Sequence, residues 1–464
     1  MTAAESTQRL VQRQREFFAT GATLDVEFRI QALRRLQAAI QRREAQIKEA
    51  LTQDLGKSAF EGYLCEVGLT LAELRHQIRH VRRWAKPRRV PSDLANFHST
   101  YRVVSEPYGV VLVMSPWNYP FMLSLEPLIG AVAAGNCCVV KPSAYSPATS
   151  AVISELIREV FQPGHVDVVL GGREENTALL EQRFDYLFFT GSPTVGKLVM
   201  EKASQHLTPV SLELGGKSPC IIAKDADLKL AARRLAFGKW LNLGQTCIAP
   251  DYVLCHASVH DRFLELLEEA VVAMYGANAL DNPDYGRIVN RKHFDRIMGL
   301  IDPAKVAFCA GPKQFADQES LRIAPVVMTG VTDQDPVMQE EIFGPVLPII
   351  AVSGEDEAEA FVKSHEKPLA LYLFSNSKAT QRRFMERVSF GGGCVNDTIV
   401  HIATSRMGFG GVGNSGMGSY HGIQSFRTFS HQKSMLQKHN WIDLPLRYQP
   451  YEDWKAKVIR LFLR

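Results

Sequence analysis

The stretch GVVLVMSPWNYPFMLSLEPLIGAVAAGNCCVVKPS, residues 109–143, determines the fold class. Residues 109–116 contain an apolar run short enough for a buried strand, residues 121–135 an apolar helix, and residues 137–143 a second apolar strand. Parallel strands need such a crossover helix, and strands that are covered on both faces are apolar throughout. The stretch therefore predicts a parallel βαβ unit.

The same alternation continues to residue 216. Helices are predicted near 147–160, 174–183 and 193–204, and strands at VDVVLGG, YLFFTGS and PVSLELGG. Five short β-rich runs separated by helices predict a doubly wound, Rossmann-like parallel sheet. Sheets of this kind bind ligands beyond the carboxyl ends of their strands, and the turns rich in glycine and serine fall at those ends.

Two other regions have their own patterns. Residues 26–86 carry apolar side chains at helical spacing, whereas residues 86–102 are polar and rich in proline, which predicts an extended excursion. Between residues 225 and 396, helices near 227–242 and 258–275 alternate with strands at YVLC, APVVMTG and VLPIIAV. This pattern predicts a second α/β domain.

Composition excludes several classes of protein. The 464 residues are 46% hydrophobic and 22% charged with a net charge of +4, which is typical of a globular protein without a nucleic-acid surface. The eight cysteines form no CxxC pair and show no zinc-like spacing, so we expect a reduced, cytoplasmic protein without a metal site. The start, MTAAESTQRLVQRQRE, lacks the apolar core of a signal peptide.

We also expect no integral membrane segment. Three prolines, Pro116, Pro120 and Pro127, interrupt the most apolar stretch, and residues 458–463 near the C-terminus are too few and too basic to span a bilayer. A short docked helix is the simplest expectation for this tail, although its basic and apolar residues also suit a membrane surface.

One cysteine lies in an unusual setting. In GQTCIAPD, residues 244–251, Cys247 is placed in a predicted turn between a glycine and a proline. A structural cysteine usually lies in an apolar run, where it packs as a small hydrophobic residue. A reactive thiol needs access and surroundings that favour the thiolate. The stretch alone fits either role.

Two glycine-containing motifs compete for a phosphate-binding role. GxGxxG occurs at 408–413, but it follows no apolar strand and opens no predicted helix, so it indicates a glycine-rich surface loop. FTGSPTVGK, residues 189–197, is better placed because Ser192 can cap a helix that begins at Pro193. The free N–H groups of such a helix attract phosphate, although an ordinary capped helix explains the stretch equally well.

Several polar residues lie at predicted strand ends or in rigid turns. Lys141 and Glu213 each end a strand at the ligand-binding edge, where a solvated or structural role is also possible. Asn118, held between prolines, is a candidate amide donor to an oxyanion as well as a turn former. Glu341 and Phe343 form a carboxylate–aromatic turn whose role is open.

Together, seven stretches resemble the aldehyde dehydrogenase superfamily, and within it the class 3 group, over about residues 20–440. The shared motifs are PWNYP at 116–120, KPS at 141–143, FTGSPTVGK at 189–197, LELGGKSP at 212–219, GQTCIAPDY at 244–252, EEIFGP at 340–345 and FGGVGNSGMGSYHG at 409–422. They follow the family's order, and the spacing of Glu213 and Cys247 is that of class 3 members. The resemblance is therefore very specific.

The resemblance implies a role for each matching residue. Cys247 corresponds to the nucleophile, Glu213 to the general base and Asn118 to the oxyanion donor. The implied contacts to NAD or NADP are Lys141, Gly191, Ser192, Val195, Gly196, Glu341 and Phe343. The implied reaction oxidises an aldehyde to a carboxylic acid through a thiohemiacetal and a thioester on cysteine, which water activated by glutamate then hydrolyses.

Two positions depart from the family pattern. Class 3 members usually have glutamate three places after the lysine of KPS, where this chain has Ala144. A carboxylate there would bond ribose hydroxyls and repel a 2′-phosphate, so we expect Ala144 to favour NADP or at least to tolerate it. The family's PFGG is here GFGG with Gly408, which creates the GxGxxG match and predicts a looser loop near the substrate entrance.

The resemblance also implies an organisation in parts and a homodimer. The predicted parts are a dinucleotide-binding domain at 1–85 and 105–213, a catalytic domain at 214–395, an oligomerisation or bridging element at 86–104 and 396–440, and a C-terminal tail at 441–464. Four residues near the motifs are candidates for lining a tunnel for medium-chain or aromatic aldehydes, and they also fit plain packing. They are Tyr63, Tyr119, Trp240 and Thr246.

Three other functions fit parts of the sequence. A CoA-acylating member of the family would share the fold, but Glu213 is placed to activate water instead. A cysteine hydrolase would need a histidine partner, and no pattern connects His256 or His260 with Cys247. A non-catalytic binding protein would not need the complete set of cysteine, glutamate and asparagine.

Overall fold

The computed structural model describes residues 2–93 and 96–463, so positions 1, 94, 95 and 464 of the predicted segments lie outside the described residues. The helices are α1 (Ala3–Ala19), α2 (Val26–Arg42), α3 (Glu44–Leu55), α4 (Ala59–Gly62), α5 (Gly68–Trp84), α6 (Met122–Ala134), α7 (Pro147–Val160), α8 (Arg173–Leu180), α9 (Pro193–Ser204), α10 (Leu228–Trp240), α11 (His260–Tyr275), α12 (Arg291–Met298), α13 (Pro336–Gln339), α14 (Glu355–Lys363), α15 (Lys378–Arg387), α16 (Ile423–Thr428) and α17 (Asp453–Phe462). The strands are β1 (Arg88–Val90), β2 (Ser99–Pro107), β3 (Val110–Met114), β4 (Cys137–Lys141), β5 (Val166–Val168), β6 (Tyr186–Gly191), β7 (Val210–Leu214), β8 (Pro219–Ile222), β9 (Tyr252–His256), β10 (Val306–Cys309), β11 (Ala316–Asp317), β12 (Arg322–Ile323), β13 (Val326–Met328), β14 (Val346–Val352), β15 (Ala370–Phe374), β16 (Gly392–Val395), β17 (Gly416–Met417) and β18 (Ser430–Lys438).

The first sheet confirms the doubly wound prediction. Its order is β17-β7-β6-β3-β4-β5, and the strands from β7 to β5 are parallel. Side chains of β3 alternate between two apolar clusters, with Val111 and Val113 in one and Leu112 and Met114 in the other. The first cluster contains residues of α2 and α6 and the second contains residues of α1 and α9, so helices cover both faces.

A second sheet has the order β10-β13-β14-β9-β8-β15-β16, in which all neighbours are parallel except β10 and β13. It confirms the strands predicted at YVLC, APVVMTG and VLPIIAV. The sequence pattern missed β8, β15 and β16 because these runs are short and directly adjoin glycine-rich or polar turns. Helices α10 and α11 pack together beside this sheet.

A three-stranded antiparallel sheet, β1-β2-β18, joins the extended excursion to a C-terminal strand. Nine residues of β18 pair with β2, from Ser430 opposite Pro107 to Lys438 opposite Ser99. The outer edge of β18 faces away from the sheet, and its Met435 and Leu436 side chains are about half exposed, at 49% and 47%. Within the described residues, no helix is long and apolar enough to cross a membrane.

The glycine-rich segment that contains the GxGxxG match folds against the first sheet. Strand β17 pairs antiparallel with β7, and Gly416 lies opposite Glu213, so this part of the predicted bridging element belongs to the first sheet. A Cβ at Gly416 would collide with the Leu212 carbonyl, and its φ of +133° also favours glycine. The last residue of the match begins a single 3₁₀ turn, Gly413–Ser415, so the match does not open an α-helix as a dinucleotide fingerprint requires.

Candidate active site

A cavity of about 630 Å³ opens at the carboxyl ends of β6 and β7, where the first sheet meets the second domain. Its wall contains seven of the residues that the sequence singled out, namely Asn118, Gly191, Ser192, Glu213, Cys247, Glu341 and Phe343. Val195 and Gly196 lie next to it in α9, and Lys141 ends β4 of the same sheet. The fold therefore brings these residues to one edge.

Cys247 follows a turn with an unusual backbone. Asn242, Leu243 and Gly244 have φ angles of 50°, 53° and 72°. A non-glycine residue in this region typically costs about 1–3 kcal/mol, so the surrounding contacts must hold the turn in place. Glycine is needed at position 244 because a Cβ there would collide with the Gly344 carbonyl. The turn ends α10 and brings Cys247 to the cavity wall.

The side chain of Gln245, which sequence reasoning did not single out, holds this turn. It is fully buried, and its Nε2 donates to the carbonyl oxygens of Asn242 at 3.1 Å and Arg287 at 3.0 Å. Its Oε1 accepts from the Val289 N–H at 3.0 Å. All polar atoms of the amide are used, so Gln245 fixes the cysteine loop to residues more than 40 positions away.

The surroundings of Cys247 shift the pKa of its thiol in two opposite directions. Burial raises the pKa of the thiol, and the charges of Glu341 and Glu213 raise it further. The backbone N–H groups of Cys247 and Ile248 act in the opposite direction and lower this pKa, because they donate to the sulfur. These N–H groups are in place to stabilise negative charge that develops at or near Sγ.

Asn118 is fixed at both its backbone and its side chain. Its carbonyl oxygen accepts from Lys57 Nζ and from Asn242 Nδ2, both at 2.9 Å. Its Nδ2 donates to the Gln245 carbonyl oxygen at 3.0 Å, beside the cysteine loop. The side-chain amide is thus aimed at the segment that carries the thiol.

Glu213 is a buried carboxyl without a neutralising partner. Both of its oxygens are buried and have no hydrogen-bond partner among the described residues. Burial raises the pKa of this carboxyl well above its ordinary value. An unpaired, buried carboxyl is costly to the fold, and a carboxyl with a raised pKa in a cavity is a candidate general base.

Glu341 also lies in the cavity wall and is held through its backbone segment. Lys217, paired with Asp251, donates to the carbonyl oxygens of Val337 and Glu340, both at 2.9 Å. Burial, followed by the charge of Asp251, raises the pKa of Glu341 to about 8, while the Gly216 N–H opposes this shift.

Close backbone approach gives the Glu341 carboxyl its position. A Cβ at Gly215 would collide with that carboxyl, so the glycine pair after β7 provides the space. The Trp240 indole N–H, at the end of α10, donates to the Pro345 carbonyl oxygen at 2.9 Å and secures the end of the same segment.

The start of α9 is an open helix N-terminus at the cavity. Ser192 occupies the N-cap and Pro193 the first turn as predicted, but the Ser192 hydroxyl does not cap the helix and is free for a ligand. Thr190 Oγ1 is buried without a hydrogen-bond partner in the described part of the chain, and Thr190 also lines the cavity. Gly196 lets α9 approach β7, since a Cβ there would lie 2.7 Å from Leu214. N–H groups and hydroxyls of this kind fit an anionic group.

Lys141 is not the solvated strand-end lysine that its position allowed. It is buried, and its Nζ donates to the carbonyl oxygens of Pro142 at 2.9 Å and Gly171 at 2.7 Å. Burial lowers the pKa of Lys141 to about 8, and the nearby Glu175 charge opposes this shift. Ala144 is exposed in the turn that follows.

The four candidate substrate residues lie outside the cavity wall. Trp240 is a packing residue, since it is buried in the main apolar core and its N–H is bonded to Pro345. The Tyr119 hydroxyl and Thr246 Oγ1 are 2.7 Å apart behind Asn118. Tyr63 is 44% exposed.

Apolar residues that the sequence did not single out adjoin the same region. Leu123 lies in the cavity wall and belongs to a small apolar cluster with Cys65, Tyr119 and Met122. Trp117 packs edge-on against Phe343, with ring centroids 5.3 Å apart, and adds an aromatic side to the cavity. The motif PWNYP predicted a turn here but not its contacts.

Sequence comparison identifies the family. The family model described as aldehyde dehydrogenase family matches residues 1–435. The chain belongs to the aldehyde dehydrogenase family. It is an NAD(P)-dependent aldehyde dehydrogenase, and its similarity to family 3 members confirms the class 3 resemblance.

The similarity extends over nearly the whole chain. The dimeric, NADP-preferring aldehyde dehydrogenase of Rattus norvegicus is 47% identical over 92% of this chain and 94% of its own length. Aldehyde dehydrogenase family 3 member A2 of Macaca fascicularis is 44% identical over 98% of this chain and 94% of its own. The substrate-bound state of Staphylococcus aureus AldH has a TM-score of 0.96 and 43% identity, and covers 98% of this chain and 99% of that chain.

The dehydrogenase site fits a dinucleotide. The open N-terminus of α9 with Ser192 and Thr190 suits a pyrophosphate, and the Glu341 carboxyl, whose Oε1 is buried without a partner among the described side chains, suits a ribose hydroxyl. Across residues 2–93 and 96–463, no group of three or more His, Cys, Asp or Glu side chains could hold a metal ion.

Proposed function

We propose that this cavity oxidises an aldehyde to a carboxylic acid through a covalent intermediate on Cys247. The observation that supports this most is that Cys247, Glu213 and Asn118 belong to the wall of one cavity. The Cys247 thiol reaches the cavity, and the Asn118 amide is held beside the cysteine loop. The Glu213 carboxyl has no hydrogen-bond partner among the described residues, as a general base requires.

In the first half of the reaction, the Cys247 thiol gives its proton to solvent water, and the sulfur attacks the carbonyl carbon to form a thiohemiacetal. We assign the Asn118 amide and the Cys247 N–H as donors to the resulting oxyanion, and one such donor is typically worth about 3–4 kcal/mol. When bound, NAD(P)⁺ supplies the acceptor for the hydride lost from the thiohemiacetal carbon. A thioester then remains on the enzyme.

In the second half, Glu213 accepts a proton from water, and the oxygen of that water adds to the thioester carbonyl. The carbon–sulfur bond breaks, the carboxylic acid leaves, and the departing sulfur takes the proton from Glu213, which regenerates both the thiol and the base. Catalysis by a general base is most effective when its pKa is near the working pH, and burial moves the pKa of Glu213 in that direction.

We infer that Lys141, Gly191, Ser192, Val195, Gly196, Glu341 and Phe343 form the dinucleotide site. The support is their place at or beside one sheet edge, where the N–H groups of the α9 N-terminus suit an anionic group and the Glu341 carboxyl suits a hydroxyl. Lys141 is held at the end of β4 by two carbonyl oxygens, so its ammonium has a fixed position.

The experiment that tests the reaction follows reduced nicotinamide and the acyl product together. Purified enzyme is incubated with an aromatic or a medium-chain aldehyde and NAD⁺ or NADP⁺, with and without coenzyme A. We expect one free acid per reduced nicotinamide whether or not coenzyme A is present. Acyl-CoA as the main product would instead establish the acyl-transfer alternative, and ester hydrolysis alone would establish a cysteine hydrolase.

We propose that Ala144 lets the enzyme favour NADP or accept it beside NAD. Ala144 is exposed in the turn directly after Lys141, and no carboxylate is present at this position to repel a 2′-phosphate. The neighbouring Glu175 carboxyl accepts from the Gly172 N–H at 2.6 Å, so it is held back toward its own helix. Lys141, three positions before Ala144, is the cation that we assign to the phosphate.

Substitution Ala144→Glu should shift the preference toward NAD. Like-charge repulsion between a carboxylate and a 2′-phosphate typically costs a few kcal/mol, so we expect the ratio of kcat/KM for NAD to that for NADP to rise about 10- to 100-fold. Steady-state kinetics with each cofactor measure it, and Ala144→Gln, which adds the same volume without charge, serves as the control. An equal shift in both variants, or a strong preference of the native enzyme for NAD, would contradict the proposal.

We propose that residues 86–104 and 396–440 join two copies of the chain into a homodimer. A nine-residue edge strand with exposed apolar side chains is prone to pair with another strand, and β18 has this character. The relative from Rattus norvegicus is named as dimeric. The assignment of 1–85 and 105–213 to the cofactor domain and 214–395 to the catalytic domain belongs to the same proposal.

Charged substitutions on β18 should weaken the dimer. The native enzyme is expected to have twice the chain mass of 51.8 kDa by light scattering, whereas the double variant Met435→Glu/Leu436→Glu should shift toward monomer, because two carboxylates would be buried at the contact. Leu207→Glu is the matched control, since Leu207 is 91% exposed and lies outside the three-stranded sheet. A native enzyme that is monomeric at micromolar concentration would refute the assignment.

We also propose an apolar aldehyde, medium-chain or aromatic, and a reducing, cytoplasmic setting. Leu123, Met122 and Tyr119 form the apolar cluster next to Asn118, which suits an alkyl chain or a ring. The eight cysteines, Cys247 among them, are free thiols, and a reducing compartment keeps a nucleophilic thiol active.

A further inference from the structure

A buried ion pair lies behind the turn that carries Asn118. The side chains of Lys57 and Glu66 are 1% and 0% exposed, and Lys57 Nζ is 2.5 Å from Glu66 Oε1. Neither residue lines the cavity. Because desolvation offsets most of the attraction within a buried pair, such a pair contributes little to stability compared with apolar residues of the same volume. Its neighbours therefore indicate a different role.

The pair contacts the turn in its middle and just after its last residue. Lys57 Nζ donates to the Asn118 carbonyl oxygen at 2.9 Å and lies 4.0 Å from the centre of the Tyr119 ring. Glu66 Oε2 accepts from the N–H groups of Phe121 at 2.8 Å and Met122 at 3.1 Å, at the start of α6. The two charges thus hold the backbone in the middle of PWNYP and directly after it.

An irregular helix directs Glu66 to this position. Tyr63–Val67 form a π-helical turn between α4 and α5. A π-helical turn is rare and is usually found close to functional sites, because its extra residue changes the direction of the side chains that follow. Gly68 accommodates the wider turn, since a Cβ there would lie 2.9 Å from the Tyr63 carbonyl oxygen. The π-helical turn is an unfavourable element, but it lets Glu66 accept the two hydrogen bonds from the N–H groups at the start of α6.

We propose that the Lys57–Glu66 pair is a positioning element that holds the Asn118 amide at the cysteine loop. With its carbonyl held by Lys57 and Asn242, the residue can direct its Nδ2 only toward the Gln245 carbonyl, next to Cys247. When an aldehyde adds to the thiol, the same Nδ2 needs only a small displacement to reach the oxyanion. This inference rests on the proposed role of Asn118.

The double variant Lys57→Met/Glu66→Gln tests the proposal by removing both charges of the pair together. A small misplacement of a catalytic group commonly costs about 100-fold, so we expect kcat to fall about 10- to 100-fold, with the KM for the cofactor changed less than about threefold. Glu66→Asp keeps both charges and shortens one side chain, and should give a smaller loss of the same kind. Lys455→Met is the matched control, because Lys455 is also buried against carbonyl oxygens, those of Tyr448 and Pro450, but lies in the C-terminal tail.

A double-mutant cycle separates positioning from a general structural effect. Asn118→Ala alone should lower kcat about 100- to 1,000-fold. If the pair acts through Asn118, adding Lys57→Met/Glu66→Gln to the Asn118→Ala variant should lower kcat by less than about a further threefold. If the kcat losses of the two sets of substitutions instead multiply in the combined variant, the proposal is overturned. If Lys57→Met/Glu66→Gln keeps the wild-type kcat while Asn118→Ala lowers kcat, the positioning role is overturned and the oxyanion role of Asn118 stands. A wild-type kcat in Asn118→Ala would instead refute the oxyanion assignment and the positioning role together. If the double variant does not fold, Glu66→Asp with and without Asn118→Ala completes the same cycle.

Discussion

Substitution Cys247→Ser is expected to lower aldehyde oxidation by at least about 10⁴-fold. A serine hydroxyl is a far weaker nucleophile than a thiol unless a base activates it, and loss of the nucleophile costs about 10⁶-fold in well-studied hydrolases. The strained turn at 242–244 and the bonds of Gln245 should place the hydroxyl where the sulfur was, so the loss would reflect chemistry and not position.

The measurement is the rise in absorbance of reduced nicotinamide, with mass spectrometry of the intact enzyme to detect an acyl adduct. Cys309→Ser is a suitable control, since Cys309 is a partly exposed thiol outside the cavity wall. Full turnover in Cys247→Ser would refute the nucleophile assignment, as would an acyl adduct that maps to another residue.

The second large effect is expected from Glu213→Gln, which should separate the two halves of the reaction. The amide has nearly the same shape but cannot accept a proton, so formation of the thioester should survive while its hydrolysis slows about 10²- to 10⁴-fold. A rapid-mixing experiment should therefore show a burst of about one reduced nicotinamide per site, followed by almost no turnover. Glu340→Gln, which changes an exposed carboxyl on the same wall, should keep its steady-state rate. The absence of a burst in Glu213→Gln would place this carboxyl in the first half-reaction.

The pH dependence of the same variant provides an independent check. Because burial raises the pKa of Glu213, the carboxyl is protonated at pH values below that raised pKa and cannot act as a base there. The hydrolysis rate of the native enzyme should thus increase as the pH rises through this pKa and then level off. In Glu213→Gln this increase should disappear, and an unchanged profile would assign the titration to another group.

Local sequence patterns predicted most of the elements that form the first sheet. The apolar strands and the capped helices have signals within 15 residues of themselves, and α7 begins at Pro147 and ends at Val160 as predicted. Among the motif residues at the strand ends, Gly191, Ser192 and Glu213 line one cavity and Lys141 lies outside its wall, although the parallel topology places all of those ends at one edge.

Contacts between segments that are far apart in the sequence are not predicted by any local sequence pattern. Gln245 bonds to residues near 287, and Lys57 bonds to Asn118 across 61 positions, so neither role can be read from its own neighbourhood. The same limit applies to Trp240. Its closeness to the cysteine motif in sequence made it a candidate for a tunnel wall as well as for plain packing, and its indole N–H donates to the Pro345 carbonyl oxygen. The GxGxxG match misleads for a related reason, because close backbone approach requires glycine whether or not a phosphate is bound.

The contact between Gly244 and Gly344 has a consequence for protein engineering and evolution. The cysteine segment and the segment with Glu341 touch through their backbones at this point, and Trp240 bonds the first to the end of the second. Gly244 cannot acquire a side chain unless the Gly344 carbonyl retreats, whereas a Cβ at Gly344 would collide with Ile297. In chimeras built from two relatives, exchange of 240–250 alone should therefore give poorly folded or inactive proteins, whereas exchange of 240–250 together with 336–345 should recover them. Recombination breakpoints in this family should accordingly keep the two segments from the same parent.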